Sequence, residues 1–277
     1  KADGNALVMK DEQNSLTIKK VTSPSSDRVI ATFDIAPANT DDEPDRYTFA
    51  DGSTDTRTFT TDGTTGMYAI TGQLVAGSRY IIRELTPPAG YSGVGDFQIT
   101  MNADGTVTMS AANNLAVATD DHNNVTVTVT DPQTHVILSK KGADNALIAG
   151  ATFSIVPNQG GKFADGKDTM VWNTTDKALD STNFVAGQTY YFTETAVPGG
   201  YVALPTVIFG STIKASFAVQ LSFGGSLTLL KPDGASSAPS YVTVDNTKGV
   251  SPSASITVSN TQNKVSLVKK DENGSLL

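Results

Sequence analysis

The chain has 277 residues, a formal net charge of −8, 17% charged residues and no cysteine. That balance argues against nucleic acid as a partner and against adhesion to anionic membranes, and it rules out disulfides, thiolate catalysis and cysteine zinc sites. No apolar run approaches the roughly 20 residues of a membrane helix and no charged-then-apolar leader opens the chain, so a secretion signal or anchor is expected to lie outside this sequence. The length fits one to three domains, and abundant Thr, Ser, Gly, Val and Asn with few helical patterns favour all-β modules.

Two readings fit residues 1–14: the closing strand of a preceding module, with Leu7 and Met9 alternating into Asp11, or a short leader. Leu16, Ile18 and Lys20 then alternate along a strand whose last inward position is a lysine. Ala31–Ile35 is a second strand, and the acidic stretch Thr40–Asp45 reads as a loop. Strands are predicted near Arg57–Thr60, Met67–Ile70 and Tyr80–Glu84. Phe97–Met101 and Thr106–Met109 flank Asn102-Ala103-Asp104-Gly105 as a hairpin. Val125, Val127 and Val129 alternate into Asp131 and close the unit.

The order then repeats, and such self-similarity decides how the whole chain is read. Val136, Leu138 and Lys140 match the opening strand, and Ala151–Ile155 matches the second. The stretches Tyr80–Tyr91, YIIRELTPPAGY, and Tyr190–Tyr201, YYFTETAVPGGY, share the pattern Tyr-x-x-x-Glu-x-x-x-Pro-x-Gly-Tyr. Further strands are predicted near Thr206–Phe209, Ser216–Leu221, Ser226–Leu230 and Tyr241–Val244, before Ile256 and Val258 alternate into Asn260. The second unit is the longer, with extra loop expected near Gln159–Asp168 and Asp233–Val250. The junctions Asp131–Val136, Asn260–Val265 and Asp11–Leu16 share one spacing, short enough to predict a fairly stiff rod. Val265, Leu267 and Lys269 begin a third cycle. The domains so read are 1–14, 15–132, 133–262 and 263–277, the last being the opening strand of a following module or an extension.

Each unit thus offers an inward Lys, an inward Glu (Glu84 or Glu194) and a closing Asp or Asn. First and last strands commonly lie side by side in a β-sandwich, which would bring Lys20 to Asp131 and Lys140 to Asn260. Burial lowers a lysine pKa and raises a carboxylic acid pKa. The neutral amine is then a nucleophile, and a protonated Glu polarises the acceptor carbonyl. The product would be an intramolecular amide, with water leaving from Asp131 or ammonia from Asn260. A noncovalent Lys20–Asp131 ion pair is the alternative for the first unit. Asp11 and Lys269 form a candidate inter-module or intermolecular pair.

These motifs resemble two tandem CnaB-type domains, the collagen-adhesin B-repeat or SpaA-like pilin module of Gram-positive surface proteins. The resemblance rests on Leu16-x-Ile18-x-Lys20, Val136-x-Leu138-x-Lys140, Ala31–Phe33, Gly150–Phe153, the two Tyr-to-Tyr stretches, Val129-Thr-Asp131 and Val258-Ser-Asn260. It implies tandem β-sandwiches of inverse-immunoglobulin or transthyretin-like type with autocatalytic Lys–Asp/Asn crosslinks assisted by Glu84 and Glu194. The implied role is a stalk or backbone of a cell-wall-attached adhesin or pilus, with neighbouring modules and a host extracellular-matrix protein or glycan as partners. No cofactor or metal is expected: the acidic clusters Asp41–Asp45 and Asp51/Asp55 match no EF-hand spacing. With only His122 and His135 available, a histidine triad is thin, and no turnover of an external substrate is expected. Competing readings are a ligand-binding adhesin domain, which would show an exposed aromatic groove, for instance at Trp172, and a noncovalent immunoglobulin-like accessory module of a secreted enzyme.

Overall fold

The computed structural model describes residues 13–110, 113–121, 124–247 and 253–276. Asp11 and His122 lie outside the described residues. The chain divides into two compact units, Lys1–Gln133 and Thr134–Leu277. Among the described residues there is no helix, and hence none long and apolar enough to cross a membrane.

The first unit contains β1 (Ser15–Ser23), β2 (Thr32–Pro37), β3 (Arg57–Thr60), β4 (Met67–Thr71), β5 (Arg79–Thr86), β6 (Phe97–Met101), β7 (Val107–Met109), β8 (Leu115–Thr119) and β9 (Val125–Pro132). They form two sheets, ordered β4-β1-β9-β8 and β3-β2-β5-β6-β7. Alternation dictates this layering. In β1 and β9 every second residue is buried, so each strand turns one apolar face to the opposing sheet. Leu16, Ile18, Phe33, Ile35, Tyr80, Ile82, Ile99, Val125, Val127 and Val129 make the core between them.

The second unit contains β10 (His135–Lys141), β11 (Thr152–Pro157), β12 (Met170–Asn173), β13 (Leu179–Ser181), β14 (Thr189–Ala196), β15 (Val207–Phe209), β16 (Ile213–Ala215), β17 (Phe217–Leu221), β18 (Leu227–Leu229), β19 (Val242–Asp245) and β20 (Ser253–Ser259). Its sheets run β13-β10-β20-β19 and β12-β11-β14-β17-β18, the same connectivity as the first unit, with β15-β16 added. In both units the opening strand pairs in parallel with the closing one, β1 with β9 and β10 with β20. First and last strands are therefore neighbours, as expected of such a sandwich.

The extra length of the second unit is placed differently from the expectation. The Gln159–Asp168 segment is no insertion: the link from β11 to β12 is shorter than that from β2 to β3, where the first unit carries its acidic loop. The added chain lies in the β15–β16 hairpin and in the link from β18 to β19, while part of the expected Asp233–Val250 loop lies outside the described residues. The hairpin builds a small second core from Phe209, Ala215 and Ala218, packed by Tyr191, Val207, Ile213 and Leu230. It is apolar on one side and so needs a sheet face to lie on. Trp172 is buried and stacked on Phe153 with ring centroids 4.9 Å apart, so it belongs to the core and lines no exposed groove.

Candidate functional site

Three strands converge on the polar cluster of the first unit. Lys20 is the third buried side chain of β1, Asp131 the fourth of β9 and Glu84 the third of β5. Lys20 and Asp131 are fully buried, and the Glu84 side chain is 1% exposed. In the parallel register Lys20 faces Val129, so Asp131 lies two residues further along β9, across from Thr22. The Lys20 Nζ donates to Asp131 Oδ1 and contacts Glu84 Oε1 at 2.8 Å. It also stands 5.8 Å from the Phe33 ring centroid. Burial pushes the Asp131 carboxyl up to about 7; the Lys20 charge pulls it back and the Glu84 charge raises it further. The neutral form of Asp131 is therefore accessible near neutral pH.

The second unit places the same residue types with a different pairing. Lys140 is 1% exposed and Asn260 3%. Lys140 faces Val258, and Asn260 again lies two residues beyond that partner. Asn260 Nδ2 donates to Glu194 Oε1 at 2.9 Å, Glu194 Oε2 at 3.2 Å and the Val202 carbonyl at 3.0 Å. The Lys141 carbonyl accepts from Lys140 Nζ at 3.3 Å and from the Asn260 backbone N–H at 3.4 Å, which holds amine and amide on one acceptor. Burial pushes the Lys140 amine down to about 8, against the pull of Glu194. The buried Asn260 Oδ1 has no hydrogen-bond partner among the described residues.

The glutamates reach these clusters through a feature that strict alternation does not predict. In both units the second strand is bulged at the same place, between Thr32 and Phe33 and between Thr152 and Phe153, which pairs Phe33 with Glu84 and Phe153 with Glu194. A bulge re-aims the side chains beside it. Backbone then fixes each carboxylate: the Val94 N–H donates to Glu84 Oε2 at 3.2 Å and the Leu204 N–H to Glu194 Oε2 at 2.8 Å. Glu194 is half-buried, so its expected inward setting is shallower than that of Tyr190 and Phe192.

The Pro-x-Gly-Tyr turns carry this loop back to the closing strand. Tyr91 bridges Gln133 and Tyr201 bridges Gln262, while Ser92 N–H donates to Pro132 O at 3.0 Å and Val202 N–H to Thr261 O at 2.8 Å. The turn thus clamps the backbone just past Asp131 or Asn260. Its recurrence between each Glu and the backbone N–H ten residues later that holds that Glu was the available signal in the sequence.

Elsewhere the singled-out residues take ordinary roles. Glu43 pairs with Arg46, Asp51 with Arg57 at 2.6 Å, and His135 Nδ1 lies 3.0 Å from Asp180. Among the described residues no group of three or more His, Cys, Asp and Glu side chains is placed to hold a metal. Lys269 is exposed, and Asp11 lies outside the described residues.

The fold and its two polar clusters define an all-β, prealbumin-like sandwich protein. Residues 134–223 match the family model described as SpaA, prealbumin-like fold domain. That match lies within the second unit. Among solved structures the chain is similar to the C-terminal fragment of pilus adhesin SpaC from Lactobacillus rhamnosus GG, at 19% identity over 93% of this chain and 100% of that one, TM-score 0.37. It is similar to the longer SpaC chain from the same organism at 19% identity, 90% and 31% coverage and TM-score 0.34. A streptococcal ancillary pilin aligns at 18% identity, 92% and 64% coverage and TM-score 0.36. The chain spans less than a third of the longer SpaC chain. No curated protein matches in sequence.

Proposed function

We propose that this chain is a load-bearing segment of a Gram-positive pilus or surface adhesin, exposed outside the cell and attached to the wall through the larger polypeptide, and that each unit locks itself with one intramolecular amide bond. The carrying observation is the recurrence of a buried Lys and a buried Asp or Asn, with a Glu paired to the same bulged strand, at equivalent register positions in both sandwiches. The reaction is a single turnover on the protein itself. In the second unit the Lys140 amine attacks Cγ of Asn260 while Glu194, which already holds Nδ2, relays a proton from the attacking amine to that leaving nitrogen. Collapse of the tetrahedral centre forms the Nζ–Cγ amide, breaks the Cγ–Nδ2 bond and releases ammonia. In the first unit Lys20 attacks the neutral carboxyl of Asp131, Glu84 shuttles the protons and water leaves. Packing supplies the proximity that the free side chains lack in water.

A buried ion pair alone is weak support for stability, because desolvation offsets attraction; conversion to a neutral amide removes that cost. The amide also ties the first strand to the last, so tension entering on one leaves on the other without loading the hydrogen bonds between them. Partners on this reading are neighbouring modules and pilus subunits, and a host ligand is bound elsewhere in the larger assembly. Intact mass under denaturing conditions tests it. The expected product lacks one ammonia and one water relative to the sequence; a mass equal to the sequence rejects both bonds.

A further inference from the structure

The two units treat one edge of the sandwich differently. In the second unit the edge at β18 and β19 is shut. The Asn246 side chain accepts from Leu227 N–H at 2.7 Å and donates to Leu227 O at 3.0 Å, so it pairs with the outer side of β18 as a strand would. Behind it Leu227 and Val242 are buried. The equivalent edge of the first unit is open. β8 ends its sheet, and among the described residues no strand pairs with its outer side. Thr130 N–H donates to Asn114 O at 2.9 Å and Asp120 N–H to Asn124 O at 3.1 Å. The even-numbered residues of β8 therefore bond to β9, and the backbone groups of Leu115, Val117 and Thr119 point outward. Leu115 faces Val129 as Val242 faces Val258, yet Leu115 is only partly buried and Val117 is 39% exposed. The same registers put Thr119 where Asn246 stands, and Thr119 has no amide to pair with a strand edge. β8 also lacks a charge, a proline or a bulge, the usual devices that blunt such an edge.

An unpaired edge is a template for one more strand, and the residues of β8 specify which strand fits. Residues 113–121 read Asn-Asn-Leu-Ala-Val-Ala-Thr-Asp-Asp, nearly symmetric in polarity about Val117. We propose that the outer edge of β8 pairs antiparallel with β8 of a second copy of this chain, about a two-fold axis at Val117. In that register Leu115 lies opposite the second copy's Thr119, Ala116 opposite its Ala118, Asn114 opposite its Asp120 and Asn113 opposite its Asp121. Carboxamides thus meet carboxylates. A parallel pairing would instead set each aspartate beside its own counterpart, a like-charge contact on a chain whose net charge is already −8. The contact is isologous: each β8 offers the backbone groups of Leu115, Val117 and Thr119 and receives the same from its mate. Ala116 and Ala118 are exposed and small, so the two four-stranded sheets join edge to edge with a flat outer face. Five residues a side bury little area, so a single contact is weak and gains strength where many copies stand side by side. The pairing is independent of the crosslinks proposed above.

A chain without cysteine allows the register to be trapped directly. Ala116 and the second copy's Ala118 form a non-hydrogen-bonded pair with Cα atoms about 4.5 Å apart, within reach of a disulfide. Ala116 and its own counterpart are offset by two residues and lie about 8 Å apart, too far for one, and the same holds for Ala118. Full-length Ala116→Cys and Ala118→Cys chains are oxidised with copper phenanthroline, each alone and as an equal mixture, and run on a non-reducing gel. The mixture is expected to give disulfide dimer and each variant alone to stay monomeric. Equal yields from all three samples mean random collision, and no dimer from the mixture means that this edge meets another partner or none; either result overturns the proposal. Val117→Lys added to both chains sets two ammonium groups at the axis. It should abolish the mixed dimer without shifting the melting of the first unit, and a dimer that survives it also overturns the pairing.

Discussion

Asp131 and Asn260 occupy the same register position, yet the proposed crosslinks require different proton states of them. The carboxyl of Asp131 accepts attack only when neutral, and burial holds it at about 7. Lys140 attacks only when neutral, and burial holds it at about 8. The two proposed crosslinks should therefore respond oppositely to pH when unfolded chain is refolded and followed by intact mass. Water loss from the first unit is expected to slow as pH rises past about 7, and ammonia loss from the second to quicken as pH rises through about 8. Parallel profiles would reject this assignment. A stability consequence follows in Asn260→Ala, where Lys140 stays free. Burial holds its folded pKa at about 8, below the ordinary lysine value of 10.5, so the unfolded chain binds more protons between about 8 and 10.5. Stability of that unit should rise with pH through this window, read as a rising Tm. Glu84→Ala and Glu194→Ala should each restore the mass lost by their own unit alone, and full crosslinking in either variant removes that Glu from the mechanism.

At the level of elements, the strands fix the positions but the loops complete the sites. A Cβ on Gly142 would lie 2.5 Å from the Tyr201 hydroxyl, at the end of the loop that holds Glu194 and Asn260. Gly142→Ala should displace that loop and slow ammonia loss from the second unit, while water loss from the first proceeds unchanged. The β15–β16 hairpin makes a contrasting case. Asp233 accepts from Gly210 N–H at 3.0 Å and Ser211 N–H at 2.5 Å, away from the reactive cluster. Asp233→Ala is expected to raise amide exchange at Gly210 and Ser211 and leave crosslinking intact. The opening, second, middle and closing strands were legible because their alternation is regular. The short strands β8, β12, β13 and β16 were not, since brief edge strands with exposed residues carry little periodic signal. The bulges at Phe33 and Phe153 were equally hidden, because a bulge is a relation between two strands.

For the whole molecule, the proposed crosslink would matter through what it encloses. Lys20 and Asp131 are 111 residues apart, nearly all of the first sandwich. By analogy with disulfides, closing a loop that long restricts the unfolded chain by about 5 kcal/mol. Lys20→Ala or Lys140→Ala adds a buried cavity to that loss, so Glu84→Ala and Glu194→Ala are the cleaner comparisons. Each should lower the Tm of its own unit and leave the other unit's transition in place. Under tension the parent chain should extend only through residues outside the two loops, whereas each Glu variant should release the full length of its unit. Equal extension of parent and variants would show that the closing strands are not covalently tied.

The sequence by itself determined which residues could form a site. Period-two alternation names the inward face of each strand, and finding Lys, Glu and Asp or Asn on that face in two copies marks them as a set. Tertiary structure alone decided how the members meet. The parallel pairing puts Asp131 and Asn260 two residues past the lysine's register partner, a bulge turns each Glu towards them, and two backbone N–H groups hold the carboxylates. It also separated two chemically similar sites into an acid–amine cluster at Asp131 and an amide held by Glu194 at Asn260. Alternation is a property of one strand, whereas register, bulges and burial depth arise only when strands from distant parts of the chain pack together.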